Sequence, residues 1–218
     1  MSASQFSFYW ALPAGYGAGS RCGELAERLA TNGGVAVEGV FCLAQRTKGQ
    51  RWRDADRIAH FTLPHRPELE REQDANEALL AARAAIRSIA SEMPPGTDLL
   101  QLQRLRILGD RACGASADFR YLLGCHATQE NEPALNQWYE VEHLPKLAGV
   151  KGVLCASRSL SVTDRKRWFA QYDLIAPDVL DSDEWQQWRR TDLARKCIPM
   201  MLDVERSMMR RVSADEVL

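Results

Sequence analysis

The sequence lacks the short motifs typical of common metal and cofactor sites. Its six cysteines and four histidines form no C-x-x-C, H-x-H or H-E-x-x-H pattern, so neither a zinc centre nor a dithiol redox site is indicated. The glycine-bearing stretch Gly15–Gly19 matches neither G-x-G-x-x-G nor G-x-x-x-x-G-K-[ST], which argues against a nucleotide phosphate loop. We therefore expect no metal and no tightly bound cofactor.

An excess of charge of either sign is also absent. The chain has 28 basic and 29 acidic residues, interspersed, for a net charge of −1, so neither nucleic acid nor an anionic membrane is favoured as a partner. There is no apolar run long enough to span a bilayer and no leader-like start of basic and then apolar residues. We expect a cytoplasmic protein whose partner is a small molecule.

The sequence does contain a short internal repeat. The segment Val37–Cys42 (VEGVFC) resembles Val150–Cys155 (VKGVLC), and Ile58–Leu63 resembles Phe169–Leu174 in the same order. A repeat of this length is the size of a small domain rather than of a solenoid unit. This internal repeat predicts two copies of one fold.

Both halves are predicted to have the order β-α-β-β-α-β of a ferredoxin-like fold. In the first half the expected strands are Phe6–Leu12, Val35–Gln45, Arg57–Leu63 and Asp98–Ile107, with helices from Ser20 to about Ala30 and from Glu68 to about Ser91. In the second half the expected strands are Asp118–Thr128, Lys151–Val162, Arg167–Ile175 and Met201–Val212, with helices starting near Glu132 and Pro177. The linker near Gly109 to Ala117 then divides the chain into domains 1–112 and 113–218.

The third strand of the second half has apolar residues on both of its alternating faces, which predicts that neither face of the sheet is wet. Two such sheets packed together would form an α+β barrel within one chain and would leave a cavity between them. Gln171, His126, His60 and Arg158 are the polar candidates to line that cavity.

The most distinctive segment is Trp138-Tyr139-Glu140-Val141-Glu142-His143-Leu144-Pro145. With the strands that follow, it resembles the W-Y-x-x-E-H-x-P signature of EthD-type members of the dimeric α+β barrel superfamily, over roughly residues 118 to 212. The first half has no equivalent of Tyr139, Glu142 and His143, and so resembles a degenerate copy. The resemblance implies a ferredoxin-like barrel and, across its relatives, enzymes such as cofactor-independent monooxygenases, cyclases and isomerases.

The residues themselves predict two different roles for this helix. Tyr139 and His143 share a face, as do Trp138 and Glu142, and Glu142 precedes Lys146 in the favourable order for an ion pair. Pro145 is expected to prevent regular continuation of the helix, which would place His143 near a C-terminus where the dipole favours imidazolium. A histidine there can be a general acid or base, or can cap the helix with no chemical role.

We therefore expect either a small-molecule enzyme or a protein that only binds a ligand or persists as a packed pseudo-dimer. In the enzyme, His143, Tyr139 and His126 are the catalytic candidates, and Trp138, Glu142, Arg158, Gln171 and His60 are the substrate-binding candidates. The reaction would be acid/base chemistry of isomerase, cyclase, decarboxylase or monooxygenase type on a small aromatic or polyketide-like molecule. Two chains could associate further as a homodimer.

Overall fold

The computed structural model describes residues 5–13, 36–44, 55–62, 97–109, 117–161 and 167–212, and isolated positions 28, 31, 80, 84, 85, 88 and 95. The chain divides into two compact units. Met1–Leu43, Asp54–Arg104 and Val212–Leu218 form unit 1, and Ala44–Arg53 and Leu105–Arg211 form unit 2. The two units are described separately below.

Unit 1 is built on four antiparallel strands. These are β1 (Gln5–Pro13), β2 (Ala36–Leu43), β3 (Ala55–Thr62) and β4 (Asp98–Gly109), of which β4 belongs to this unit as far as Arg104. Strand β1 pairs with β3 and β4, and β3 pairs with β2, so the spatial order is 4-1-3-2. The helices predicted for this half lie outside the described residues, apart from isolated helical positions such as Leu80.

Unit 2 repeats that strand order. Its strands are β5 (Phe119–His126), β6 (Val153–Ser161), β7 (Trp168–Leu174) and β8 (Leu202–Arg211), with β5 between β8 and β7, and β7 beside β6. Between β5 and β6 lie α1 (Glu132–Trp138), a π-helical turn (Tyr139–His143) and α2 (Leu144–Ala148). Between β7 and β8 lie a 3₁₀ turn (Pro177–Asp181), α3 (Asp183–Trp188), α4 (Asp192–Cys197) and a second 3₁₀ turn (Ile198–Met200).

The prediction of one helix starting at Pro177 is wrong. Ser182 has an extended backbone and its hydroxyl accepts a hydrogen bond from Trp185 N–H at 3.3 Å, so a new helix begins there. Thr191 does the same for Ala194 N–H at 3.1 Å. Each hydroxyl satisfies a main-chain donor that a helix leaves open at its start, and the predicted helix is therefore divided into three short elements.

The sheet of unit 2 is buried on both faces, as the sequence predicts. Every residue of β7 is buried. Trp168, Ala170, Tyr172 and Leu174 pack into one core cluster with the helices of the unit. Gln171 and Asp173 alternate with them and are buried on the opposite face.

Each expected strand is found with ends shifted by a few residues, and the predicted mixed α+β, ferredoxin-like class is confirmed. None of the helices among the described residues is long and apolar enough to cross a membrane.

Candidate functional site

The helix that carries the motif is irregular before Pro145, as predicted, but it does not end there, so the prediction that His143 lies near a helix C-terminus is wrong. After α1, the chain makes a π-helical turn in which Leu144 N–H donates to the carbonyl of Tyr139, five residues back, and α2 then continues through Pro145. The wider turn lets the helix accommodate a proline that cannot donate a main-chain hydrogen bond. Such turns occur frequently at functional sites, and this one comprises Tyr139–His143.

The turn brings three aromatic rings of the motif together. The His143 ring stacks on Trp138 with centroids 4.1 Å apart and meets the edge of Tyr139 at 4.9 Å. Trp138 and Tyr139 are themselves 5.0 Å apart. All three side chains are buried, so the imidazole is held in a fixed position by packing on two sides.

Glu142 fixes the outer side of this cluster. One carboxylate oxygen accepts a hydrogen bond from Trp138 Nε1 at 3.1 Å and another from Thr191 Oγ1 at 2.7 Å. The predicted pairing of Glu142 with Trp138 is therefore confirmed. Lys146, expected to pair with Glu142, instead lies over the ring of Trp188 at 4.6 Å.

His143 is uncharged at neutral pH. Burial lowers the pKa of its imidazole to about 3, and the positive charges of Arg158 and Arg189 act in the same direction. The expectation that a helix terminus would favour imidazolium is wrong, because the helix continues past the residue and the desolvation cost dominates. Among the described residues, no group donates to or accepts from the Nδ1 atom of this ring.

His143 lines a small cavity between the motif helix and the sheet. Its volume is about 70 Å³, room for about two water molecules. The described residues around it are Tyr121, Leu123, Tyr139, His143, Leu147, Tyr172, Leu180, Trp185, Arg189, Ile198, Met201 and Arg206. A larger depression of about 350 Å³ shares Tyr121, Leu180, Arg189 and Arg206 with it. Tyr139 and His143 therefore lie at the inner end of a concave site whose outer part is within the usual size of small-ligand sites.

Three aromatic side chains form one wall of this site. Tyr172 lies 6.3 Å from Tyr121 and 5.0 Å from Trp185, measured between ring centroids. Burial raises the pKa of Tyr172 well above its ordinary value, and it likewise raises that of Tyr139. Both phenols therefore stay protonated, and the Tyr172 hydroxyl, which has no hydrogen-bond partner among the described residues, can still donate one.

Arg158 lies behind Tyr139, on the side of the sheet that faces the helices. Its guanidinium carbon is 3.6 Å from the Tyr139 ring centroid and 5.1 Å from that of Trp168. The side chain is 4% exposed, yet none of its three nitrogens has an oxygen or nitrogen acceptor among the described residues. Burial raises the pKa of the neighbouring Cys125 thiol, and Arg158 partly offsets that rise.

The remaining predicted residues lie elsewhere. Gln171 is on the opposite face of β7, where its amide donates to both carboxylate oxygens of Asp173 at 3.3 and 3.1 Å. His126 ends β5, is half-buried and is not among the residues described around the cavity. His60 belongs to unit 1, where it is fully buried and stacks on Tyr9 at 4.3 Å.

Sequence reasoning assigned no functional role to several of the residues that shape the cavity, namely Tyr121, Tyr172, Trp185, Arg189 and Arg206. Tyr121 and Tyr172 are directly opposite each other on β5 and β7. That pairing depends on the register between two strands about fifty residues apart, for which the sequence has no local signal. Arg189 lies in the sequence beside Arg190 and near Arg195, Lys196 and several acidic residues, a mixture typical of a solvated helix face.

No group of three or more histidine, cysteine, aspartate or glutamate side chains among the described residues is arranged to hold a metal ion.

No protein-family model matches the chain, and no curated protein sequence matches it significantly. Several solved structures do resemble it. An anthrone oxidase-like protein is 11% identical, with a TM-score of 0.59 and coverage of 99% of this chain and 95% of that one. A monooxygenase-like protein from Listeria innocua is 8% identical, with a TM-score of 0.54 and coverage of 97% and 95%. A mutant chlorite dismutase from Candidatus Nitrospira defluvii is 11% identical, with a TM-score of 0.57 and coverage of 99% and 93%. At these identities the likeness concerns the fold alone, and this chain has the mixed α+β fold of dimeric α+β barrel, ferredoxin-like proteins.

Proposed function

We propose that the cavity beneath the motif helix is the active site of a small-molecule enzyme that works without a tightly bound cofactor. His143 accepts a proton from an acidic aromatic compound, such as a phenol or an enolisable ring ketone. The observation that carries the proposal is a pair of buried polar atoms, His143 Nδ1 and the Tyr172 hydroxyl, that have no hydrogen-bond partner among the described residues and belong to side chains lining the same cavity. Buried polar atoms are rarely left without a partner in a folded protein, and a ligand would supply one.

The charges around the cavity suit this chemistry. A ring nitrogen with a pKa of about 3 is unprotonated throughout the neutral range, so it can accept a hydrogen bond from the ligand. The negative charge that develops on the ligand favours imidazolium, and it therefore raises that pKa towards the range in which a general base is effective. The Tyr172 phenol stays protonated and can donate to the developing anion. Arg158, buried behind Tyr139, stabilises negative charge on the ligand through a medium of low dielectric.

The likeness to monooxygenase-like and anthrone oxidase-like proteins favours oxidation among the reactions that follow deprotonation. The atoms and electrons of such an oxidation can be followed for anthrone, which reacts with dioxygen to give anthraquinone and water. The ring methylene loses one proton to His143, and the resulting anion supplies the electrons that reduce dioxygen. The peroxide formed at that carbon loses the second methylene proton as its O–O bond breaks. One oxygen atom becomes the new carbonyl of anthraquinone and the other leaves as water with the two protons, so the substrate itself is the only reductant.

The test is oxygen uptake with anthrone, compared between the natural protein, His143→Gln and Val141→Ala. Val141 is in the same π-helical turn but is 63% exposed, so it controls for damage to the turn. We expect uptake that falls by about 100-fold or more in His143→Gln, the usual range for loss of a general base, and that is unchanged in Val141→Ala. Equal uptake in His143→Gln and in the natural protein would refute the assignment of the base.

A second function is ligand binding without turnover. The observation that favours it is that the outer depression of about 350 Å³ does not include His143 in its described lining, so a ligand can occupy it without contacting the proposed base. Saturable binding of anthrone without oxygen uptake or any new product would select this function over catalysis.

A further inference from the structure

Two arginines stand where the inner cavity meets the outer depression. Arg189 directly follows α3, and Arg206 is in β8, and both line the inner cavity as well as the outer depression. Both side chains are exposed. Among the described residues, neither forms an ion pair with a carboxylate. Their charges are therefore available to a ligand that enters from the outer side.

These charges also reach the inner residues. Burial raises the pKa of the Tyr121 phenol, and Arg206 and Arg189 both act against that rise. Arg189 also contributes to the lowered pKa of His143. A negative group placed between the two arginines would therefore lie near the mouth of the cavity, within electrostatic reach of the proposed base.

The acidic residues are arranged asymmetrically along the site. The outer depression includes the carboxylates of Asp178 and Asp181 as well as the two arginines. The described lining of the inner cavity has the same two arginines and no aspartate or glutamate. Negative charge on a ligand is consequently favoured at the junction of the two and disfavoured at the outer rim.

We propose that the ligand of this site is an aromatic carboxylate. Its carboxylate lies between Arg189 and Arg206, and its ring lies against Tyr121, Tyr172 and Trp185, with its acidic hydroxyl directed to His143. This inference rests on the proposed function for the location of the site, and adds that a carboxylate on the ligand increases its affinity. The arginines set specificity and do not take part in proton transfer.

The test is calorimetric binding of a matched pair of probes, 6-hydroxy-2-naphthoate and 2-naphthol, at neutral pH. The two share the ring and the hydroxyl and differ in the carboxylate. We expect the naphthoate to bind about tenfold or more tightly than naphthol, the range for a charge-assisted hydrogen bond. Arg189→Gln and Arg206→Gln should each reduce that ratio, and the double variant should remove it.

Arg190→Gln is the control, because Arg190 is adjacent and exposed but does not line this cavity; it should retain the full ratio. A ratio near one in the natural protein, or a ratio that survives in the double variant, overturns the inference. If naphthol binds as well as the naphthoate while anthrone is oxidised, the carboxylate inference fails and the proposed function stands. If neither probe binds and anthrone is not oxidised, both fail together.

Discussion

At the scale of single residues, the imidazole of His143 is held uncharged by its surroundings. It is stacked on Trp138 and meets the edge of Tyr139, and its pKa is about 3 rather than about 6.5. Burial is the main cause, and Arg158 and Arg189 add to it. The same features that make the ring a base at neutral pH impose a stability cost in acid.

That cost predicts a specific pH dependence. Between pH 6.5 and pH 3 the unfolded chain binds a proton at this residue that the folded protein does not bind. The contribution of His143 to the free energy of unfolding is therefore complete above pH 6.5 and falls by up to about 1.4 kcal/mol per pH unit as pH decreases. Urea unfolding at about pH 7 and pH 5 should show a steeper loss in the natural protein than in His143→Gln. Parallel losses in the two proteins would contradict the assigned protonation state.

Arg158 provides a second residue-scale prediction, since its charge is buried without an oxygen or nitrogen acceptor among the described residues. Arg158→Met should leave the free energy of unfolding equal to or above that of the natural protein, because the contacts with the Tyr139 and Trp168 rings offset only part of the cost of burying the charge. Ligand affinity or turnover should fall in the same variant. Such a pairing of gained stability with lost function is typical of a functional residue.

Arg120 is the matched control. It is 1% exposed, and its Nε donates to an Asp173 carboxylate oxygen at 2.6 Å. Arg120→Met leaves that carboxylate buried without its cation and should cost about 3–5 kcal/mol in urea unfolding. If Arg158→Met is destabilised as much as Arg120→Met, then Arg158 is a structural residue and its proposed role is wrong.

At the scale of elements, the motif helix and the start of α4 are joined through Thr191. Its hydroxyl caps α4 by accepting from Ala194 N–H, and donates to the Glu142 carboxylate that also holds the Trp138 indole. Thr191 therefore connects the start of α4, through Glu142, to the Trp138 ring on which His143 stacks.

The Thr191→Ala substitution should lower the free energy of unfolding by about 1 kcal/mol, because the helix loses its cap. It should also change ligand affinity, because the Glu142 carboxylate loses one of its hydrogen-bond donors and holds Trp138 less firmly. Thr191→Ser keeps the hydroxyl and should retain both properties. Urea unfolding and naphthoate calorimetry on the two variants separate the effects. Loss of stability with unchanged affinity in Thr191→Ala would mean that the link does not position the site.

The elements also show where sequence reasoning succeeds. Alternating apolar residues predict the strands, because successive side chains of a strand point to opposite faces and the burial of each face is therefore visible in the sequence. The π-helical turn was not predicted, because Pro145 is a general signal for the end of a helix. Its accommodation depends on packing of Trp138, Tyr139 and His143 that no single-residue preference encodes.

At the scale of the whole molecule, the internal repeat identifies corresponding strands but not their register. It aligns Gly39 with Gly152. In the structure the bulge of β2 ends at Gly39, whereas that of β6 begins after Gly152, at Val153. Similar sequence therefore occupies slightly different places in two sheets of the same strand order.

The residues of the candidate site were predicted only in part, because part of the site depends on strand register. Tyr139 and His143 are close in sequence, and their shared helical face is a local property. The opposite wall combines Tyr121, Tyr172 and Trp185, which come together only through strand pairing and the packing of α3. Tertiary structure alone defines that wall.

We propose above all that a ligand binds between the motif helix and the sheet of unit 2, with its acidic hydroxyl at His143. A crystal structure of the protein with 6-hydroxy-2-naphthoate tests this placement directly. We predict ligand density against Tyr172, with the hydroxyl within hydrogen-bond distance of His143 and the carboxylate between Arg189 and Arg206. Density for the ligand at another place, with His143 covered by protein atoms, would contradict the account.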